Sequence, residues 1–160
     1  MTIHKYTIRL GYTLILAFIG FTLFYTIQGK EEKIPLTQAE TAQYIAQLEV
    51  SDLLAERIEM VGGHKQPGIW FRLRNNSDAT FSSVKVKISF FDRQQQLVYE
   101  TFFHPIHNNS TFSYAFKKLP PNQTWQMSSS RYYTPSNVPN HWESGNATVE
   151  VVDITLLSRN

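Results

Sequence analysis

The chain has 160 residues, 42% of them hydrophobic and 18% charged, and contains no cysteine. That length supplies one core of modest size, or one small domain plus a tail, and argues against two full domains. Residues 1–33 carry four basic and two acidic side chains and the remainder eleven of each. A neutral bulk argues against a phosphate-binding surface and hence against nucleic acid as a partner, and the missing cysteines exclude disulfide staples, thiolate catalysis and Cys-rich zinc sites.

Residues 1–9 form a short N-terminal segment ahead of the strongest signal in the chain. Leu10 to Ile27 is an uncharged run of 18 residues. As a helix it spans roughly 27 Å, close to the hydrocarbon thickness of a bilayer at about 30 Å. Tyr6, Tyr12 and Tyr25 lie near its ends, where amphipathic rings favour the interface. The run is longer than a signal-peptide core, and no A-x-A-like triplet follows it, so a retained anchor over residues 10–28 fits better than a cleaved signal. A buried helix of a soluble protein fits poorly, because no polar stripe runs along it. Basic residues number two on each flank, Lys5 and Arg9 against Lys30 and Lys33. The free amino terminus, with the acids Glu31 and Glu32 after the span, tilts the orientation to N-terminus inside. The expectation is a single-pass protein of the inner (cytoplasmic) membrane with its C-terminal part periplasmic or extracellular.

Residues 29–48 read as a stalk with a short helix. Thr37-Gln-Ala-Glu40 is a capping-box pattern, in which hydroxyl and carboxylate each satisfy a backbone donor at the helix start. Ala39, Ala42, Ile45 and Ala46 then recur at helical spacing. The helix stops near Leu48 or runs on to about Arg57, because Leu48, Val50, Leu53, Leu54 and Ile58 fit neither period. Five acids against Arg57 alone between residues 40 and 59 describe either a solvated stalk or an acidic docking surface.

From about residue 55 the pattern is that of strands. Gly62-Gly63 and Pro67-Gly68 carry turn chemistry. Ile69, Phe71 and Leu73 alternate with Trp70, Arg72 and Arg74, and Val84, Val86, Ile88 and Phe90 alternate with Lys85, Lys87 and Ser89, each giving one buried face. Asn75 to Asp78 is a turn cluster and Asp92 to Gln96 a polar loop. Leu97 to Phe103 forms another strand, ended by Pro105. A weaker one is expected at Phe112–Phe116, further ones at Gln123–Tyr133 and Ala147–Leu157. The last has an apolar phase shift between Val151 and Val152, the mark of a bulge.

About seven short strands with turn signals every 8–12 residues describe a mainly β protein, with an antiparallel sandwich over residues 49–160. Phe71-Arg-Leu-Arg-Asn-Asn-Ser-Asp78, Val84 to Asp92, Leu119-Pro-Pro-Asn122 and Val149-Glu-Val-Val-Asp153 together resemble the small bacterial immunoglobulin-like domains of the FxLYD type and related domains of unknown function. The sequence departs from that pattern at Trp70 and Phe71, where a Gly-x-Val opening is common, and at Phe91, which replaces a Tyr. The resemblance implies an immunoglobulin-like fold behind a membrane anchor and implies no catalytic residues.

Little catalytic chemistry is visible. The chain lacks a nucleophile elbow, a phosphate-binding loop, a dinucleotide fingerprint and H-E-x-x-H, and the expectation is no enzyme, no cofactor and no metal. His104 and His107 are read as loop residues without a third ligand. Five N-x-S/T sequons, at Asn75, Asn108, Asn109, Asn122 and Asn146, mark surface positions only in a glycosylating pathway. Trp125, Arg131, Tyr132, Tyr133 and Trp142 surround the Pro135–Pro139 loop and are the residue types that anchor interfaces. They either plug one end of the sandwich or present a partner surface. The favoured expectation is a non-enzymatic membrane-anchored module with protein partners in an envelope complex. The alternative is a ligand- or metal-binding domain using His104 and His107 or the aromatic loop.

Overall fold

Thr37 opens the first element through a reciprocal cap. Its hydroxyl accepts the Glu40 N–H at 3.3 Å, and the Glu40 carboxylate accepts the Thr37 N–H at 2.9 Å. A computed structural model describes residues 34–107, 118–127 and 132–159. In it α1 runs Gln38–Ile45. Eight residues are too few for a helix to persist alone. Tertiary contact holds this one: the Tyr44 ring meets Phe81 edge-on with centroids 6.0 Å apart. The helix therefore belongs to the same compact unit as the strands, Lys33–Asn160, and is not a free stalk ending at residue 48. The expected anchor over residues 10–28 lies outside the described residues. Among the described residues, no helix is long and apolar enough to cross a membrane.

The strands are β1 (Leu48–Glu59), β2 (Lys65–Asn75), β3 (Ala79–Phe91), β4 (Leu97–His107), β5 (Thr124–Gln126) and β6 (Ala147–Arg159). They form two three-stranded antiparallel sheets, in the orders β1-β2-β5 and β4-β3-β6. No helix continues to Arg57. Residues 48–59 fit neither period because β1 is bulged between Ser51 and Leu54, with Asp52 at φ 51°. The bulge explains how Leu48 and Ala55, an odd seven positions apart, both face the core.

Gly62 and Gly63 make the β1–β2 turn at φ 103° and 80°, a region open to glycine. Pro67-Gly68 is no turn. Both residues lie inside β2, opposite Arg57 and Glu56. Pro105 likewise does not end β4, which continues to His107. The bulge expected in the last strand is present: Lys85 pairs with Asp153 and Val86 with Val151, leaving Val152 extra. The expected strand at Phe112–Phe116 lies outside the described residues. Among the described residues of Gln123–Tyr133, Thr124–Gln126 is strand. Tyr133 rejoins the same edge of β2 by exchanging two 2.9 Å bonds with Ile69.

The alternating residues of β2 and β3 meet in one core. Ile69, Phe71, Leu73, Val84, Val86, Ile88 and Phe90 are all fully buried. Phe71 meets Phe103 of the other sheet edge-on at 6.4 Å. The chain crosses between sheets at 119–123. Leu119 pairs with Phe81 of β3, and Asn122 and Gln123 then bond the backbone of Asn75 in β2.

Candidate functional site

The residues singled out in the sequence do not form one presented surface. Trp125 is fully buried, with Phe71 at 5.3 Å and Phe103 at 6.2 Å. Trp142 is 2% exposed, packs edge-on against Phe90, and donates its indole N–H to the Asn146 carbonyl at 2.9 Å. Both indoles are core, because burial of so large an apolar ring outweighs its single polar atom once that atom has a partner or lies at an edge. Tyr133 stacks on Phe103 at 4.6 Å, with its hydroxyl 3.3 Å from the Thr101 hydroxyl. Arg131 lies outside the described residues. Asn75 is also fully buried, so its sequon does not mark a surface position.

Tyr132 is different. It sits on the outer face of the β1-β2-β5 sheet, beside Gly68. Its hydroxyl bonds the Glu56 carboxylate, and that bond holds the phenol above its ordinary pKa. On the same face Trp70 stands directly across from Leu54. The Arg72 guanidinium lies 5.7 Å from the Trp70 ring centroid and 3.0 Å from the Asp52 carboxylate. The Trp70 indole N–H donates to the Met127 carbonyl at 2.9 Å. Leu53, in the bulge, and Leu54, across from Trp70, are 37% and 43% exposed. Leu53, Leu54, Trp70, Arg72 and Tyr132 thus combine the aliphatic, indole, guanidinium and phenol groups that concentrate binding energy in protein interfaces. The alternation of Trp70 with buried Phe71 gave its outward direction. The bulge that sets Leu54 across from it had no signature.

Four of the five acids between residues 40 and 59 are engaged one at a time. Glu40 caps α1, Glu49 accepts from the Asn76 amide at 3.1 Å, Asp52 pairs with Arg72, and Glu56 holds Tyr132. The opposite outer face is also largely self-satisfied. The Lys87 ammonium lies 3.2 Å from Glu150 and 3.7 Å from Glu100, and the Glu150 hydrogen bond holds it above its ordinary pKa. Lys85 covers the exposed Phe102 ring at 4.3 Å.

His104 and His107 lie on β4 rather than in a loop, with ring centroids 5.6 Å apart. Partial burial, then His107 and Lys85, lower the His104 pKa. Among the described residues no group of three or more His, Cys, Asp or Glu is arranged around a metal position. A cleft of about 520 Å³ lies at one end of the sheets, lined by Arg57, Arg93, His141 and Glu143 among others. Its charged groups brace its own loop. Arg57 donates to the Asn140 and Trp142 carbonyls at 2.8 and 2.9 Å, and Arg93 pairs with Glu143 at 2.7 Å. Comparison with protein families, with curated proteins and with solved structures gives no match.

Proposed function

We propose that this chain is a non-enzymatic, single-span membrane protein that holds an immunoglobulin-like β-sandwich outside the cytoplasm and docks a protein partner of an envelope complex on the outer face of β1 and β2. The observation that carries the docking surface is the Leu54–Trp70–Tyr132 cluster with Leu53 and Arg72 at its side. A solvated sheet face is normally polar, and contiguous apolar groups rimmed by charges mark interaction sites. Support for the sandwich is the single core between two antiparallel sheets, together with the resemblance of the Phe71–Asp92 region to FxLYD-type domains. Support for the anchor is the uncharged stretch from Leu10 to Ile27.

The test is photocrosslinking in intact membranes, with the crosslinking residue placed at Leu54 in one variant and at Glu150 on the other sheet in a second. The reading expects discrete protein adducts from Leu54, lost on Trp70→Ala, and none from Glu150. Equal labelling from both positions, or recovery of the chain in the aqueous fraction after alkaline extraction, overturns it.

A further inference from the structure

A regular strand sends residues i and i+3 to opposite faces. His104 and His107 escape that rule because β4 holds one residue more than its partner. Val84 pairs with Ile106 and Val86 with Phe103, so His104 and Pro105 together stand opposite Lys85. Pro105, which has no N–H to give the ladder, is tolerated at such a bulge. The change of parity turns both imidazoles to the outer face, where both are exposed and their planes are inclined by 51°. Neither imidazole has a hydrogen-bond partner among the described residues.

The separation fits a shared ion. With metal–nitrogen bonds of about 2.0–2.1 Å, two rings on one tetrahedral centre have centroids roughly 5 Å apart. The observed 5.6 Å is within the reach of small side-chain rotations. The nearest cation, Lys85, rests over the Phe102 ring on the neighbouring row. Asp153, in register with Lys85, puts a carboxylate on the same outer face. We infer that His104 and His107 form an open two-imidazole site for a late first-row divalent ion of the kind imidazole prefers, Ni²⁺, Cu²⁺ or Zn²⁺, with water in the remaining positions. Catalytic zinc has three protein ligands, so this is a binding site and no reaction centre. The inference does not depend on the docking face of β1 and β2.

Calorimetric titration of the untagged full chain with Zn²⁺ tests it. One ion per chain is expected, and Ca²⁺ and Mg²⁺ give no heat. His104→Asn and His107→Asn each weaken binding at least about tenfold, a loss of about 1.4 kcal/mol, whereas His64→Asn and His141→Asn leave it unchanged. Melting of the metal-free variants at the parent temperature shows that they fold. In parallel, sub-stoichiometric Cu²⁺ added to the parent broadens backbone NMR signals around His104 and His107 first. Binding retained in the double variant, no binding by the parent, or broadening centred elsewhere overturns the assignment.

Discussion

The Asn75 side-chain amide donates to the Leu119 carbonyl at 3.1 Å, across 44 residues of chain, and to the Ala79 carbonyl at 2.8 Å. Its oxygen accepts the Ser77 N–H at 2.9 Å and the Ser77 hydroxyl at 2.7 Å. One buried amide thereby ties the end of β2, the start of β3 and the crossover between sheets. An unpaired buried polar group costs about 1–3 kcal/mol. Asn75→Ala leaves carbonyls and Ser77 without partners, and a loss of about 2–4 kcal/mol is expected in denaturant unfolding. Asn75→Asp destabilises as well, because a carboxylate repels the two carbonyl oxygens. A change below about 0.5 kcal/mol, the range of ordinary surface substitutions, refutes the role.

Gly68 sits where a side chain has no room. A Cβ there approaches the Ile58 Cγ2 to 2.9 Å and the Tyr132 ring to 3.1 Å. Ile58 is β-branched and stiff at χ1, so it yields only by leaving its rotamer. Gly68→Ala is expected to cost about 1–3 kcal/mol, the scale of overpacking, and to shift the Tyr132 ring signals in NMR. Stabilisation by the substitution contradicts the close approach.

These two residues show where the sequence was legible and where it was not. Strict alternation in β2 and β3 announced their buried faces, S/T-x-x-E announced the α1 cap, and a broken phase announced the β6 bulge. Each is a local signal, completed within a few residues. Asn75, in contrast, reads as turn chemistry until Leu119 arrives from far along the chain. Pro67 and Pro105 read as stops because a proline cannot donate to a ladder, yet Pro67 lies beyond the Ile69–Tyr133 bridge and Pro105 lies in a bulge, where no bond is demanded of them. The β1 bulge cancelled both periodicities. That single extra step hid a strand and half of the candidate docking face.

The Thr37 cap separates an integral helix from a stalk. Replacing an N-cap threonine by alanine costs about 1 kcal/mol. Because Tyr44 of α1 packs on Phe81 of the core, Thr37→Ala is expected to lower the stability of the whole unit and to move the unfolding midpoint seen by tryptophan fluorescence. With an independent stalk helix the far-ultraviolet signal changes slightly and the midpoint stays put.

Trp125 and Leu54 should behave oppositely. Trp125 is enclosed by Phe71 and Phe103, and Trp→Ala in a core costs about 3–5 kcal/mol. Leu54 lies on an outer face, and Leu54→Ser is expected to change stability by no more than about 0.5 kcal/mol. The same serine, however, removes an aliphatic group beside Trp70 at the centre of the candidate interface, where truncation of an anchor typically costs about 2 kcal/mol of binding. Urea unfolding of both variants, read alongside crosslinking yield in membranes, distinguishes the roles. Trp125→Ala loses fold and partner together, whereas Leu54→Ser loses the partner alone. A Leu54→Ser chain that unfolds early, or one that keeps its adducts in full, refutes docking on the outer face of β1 and β2.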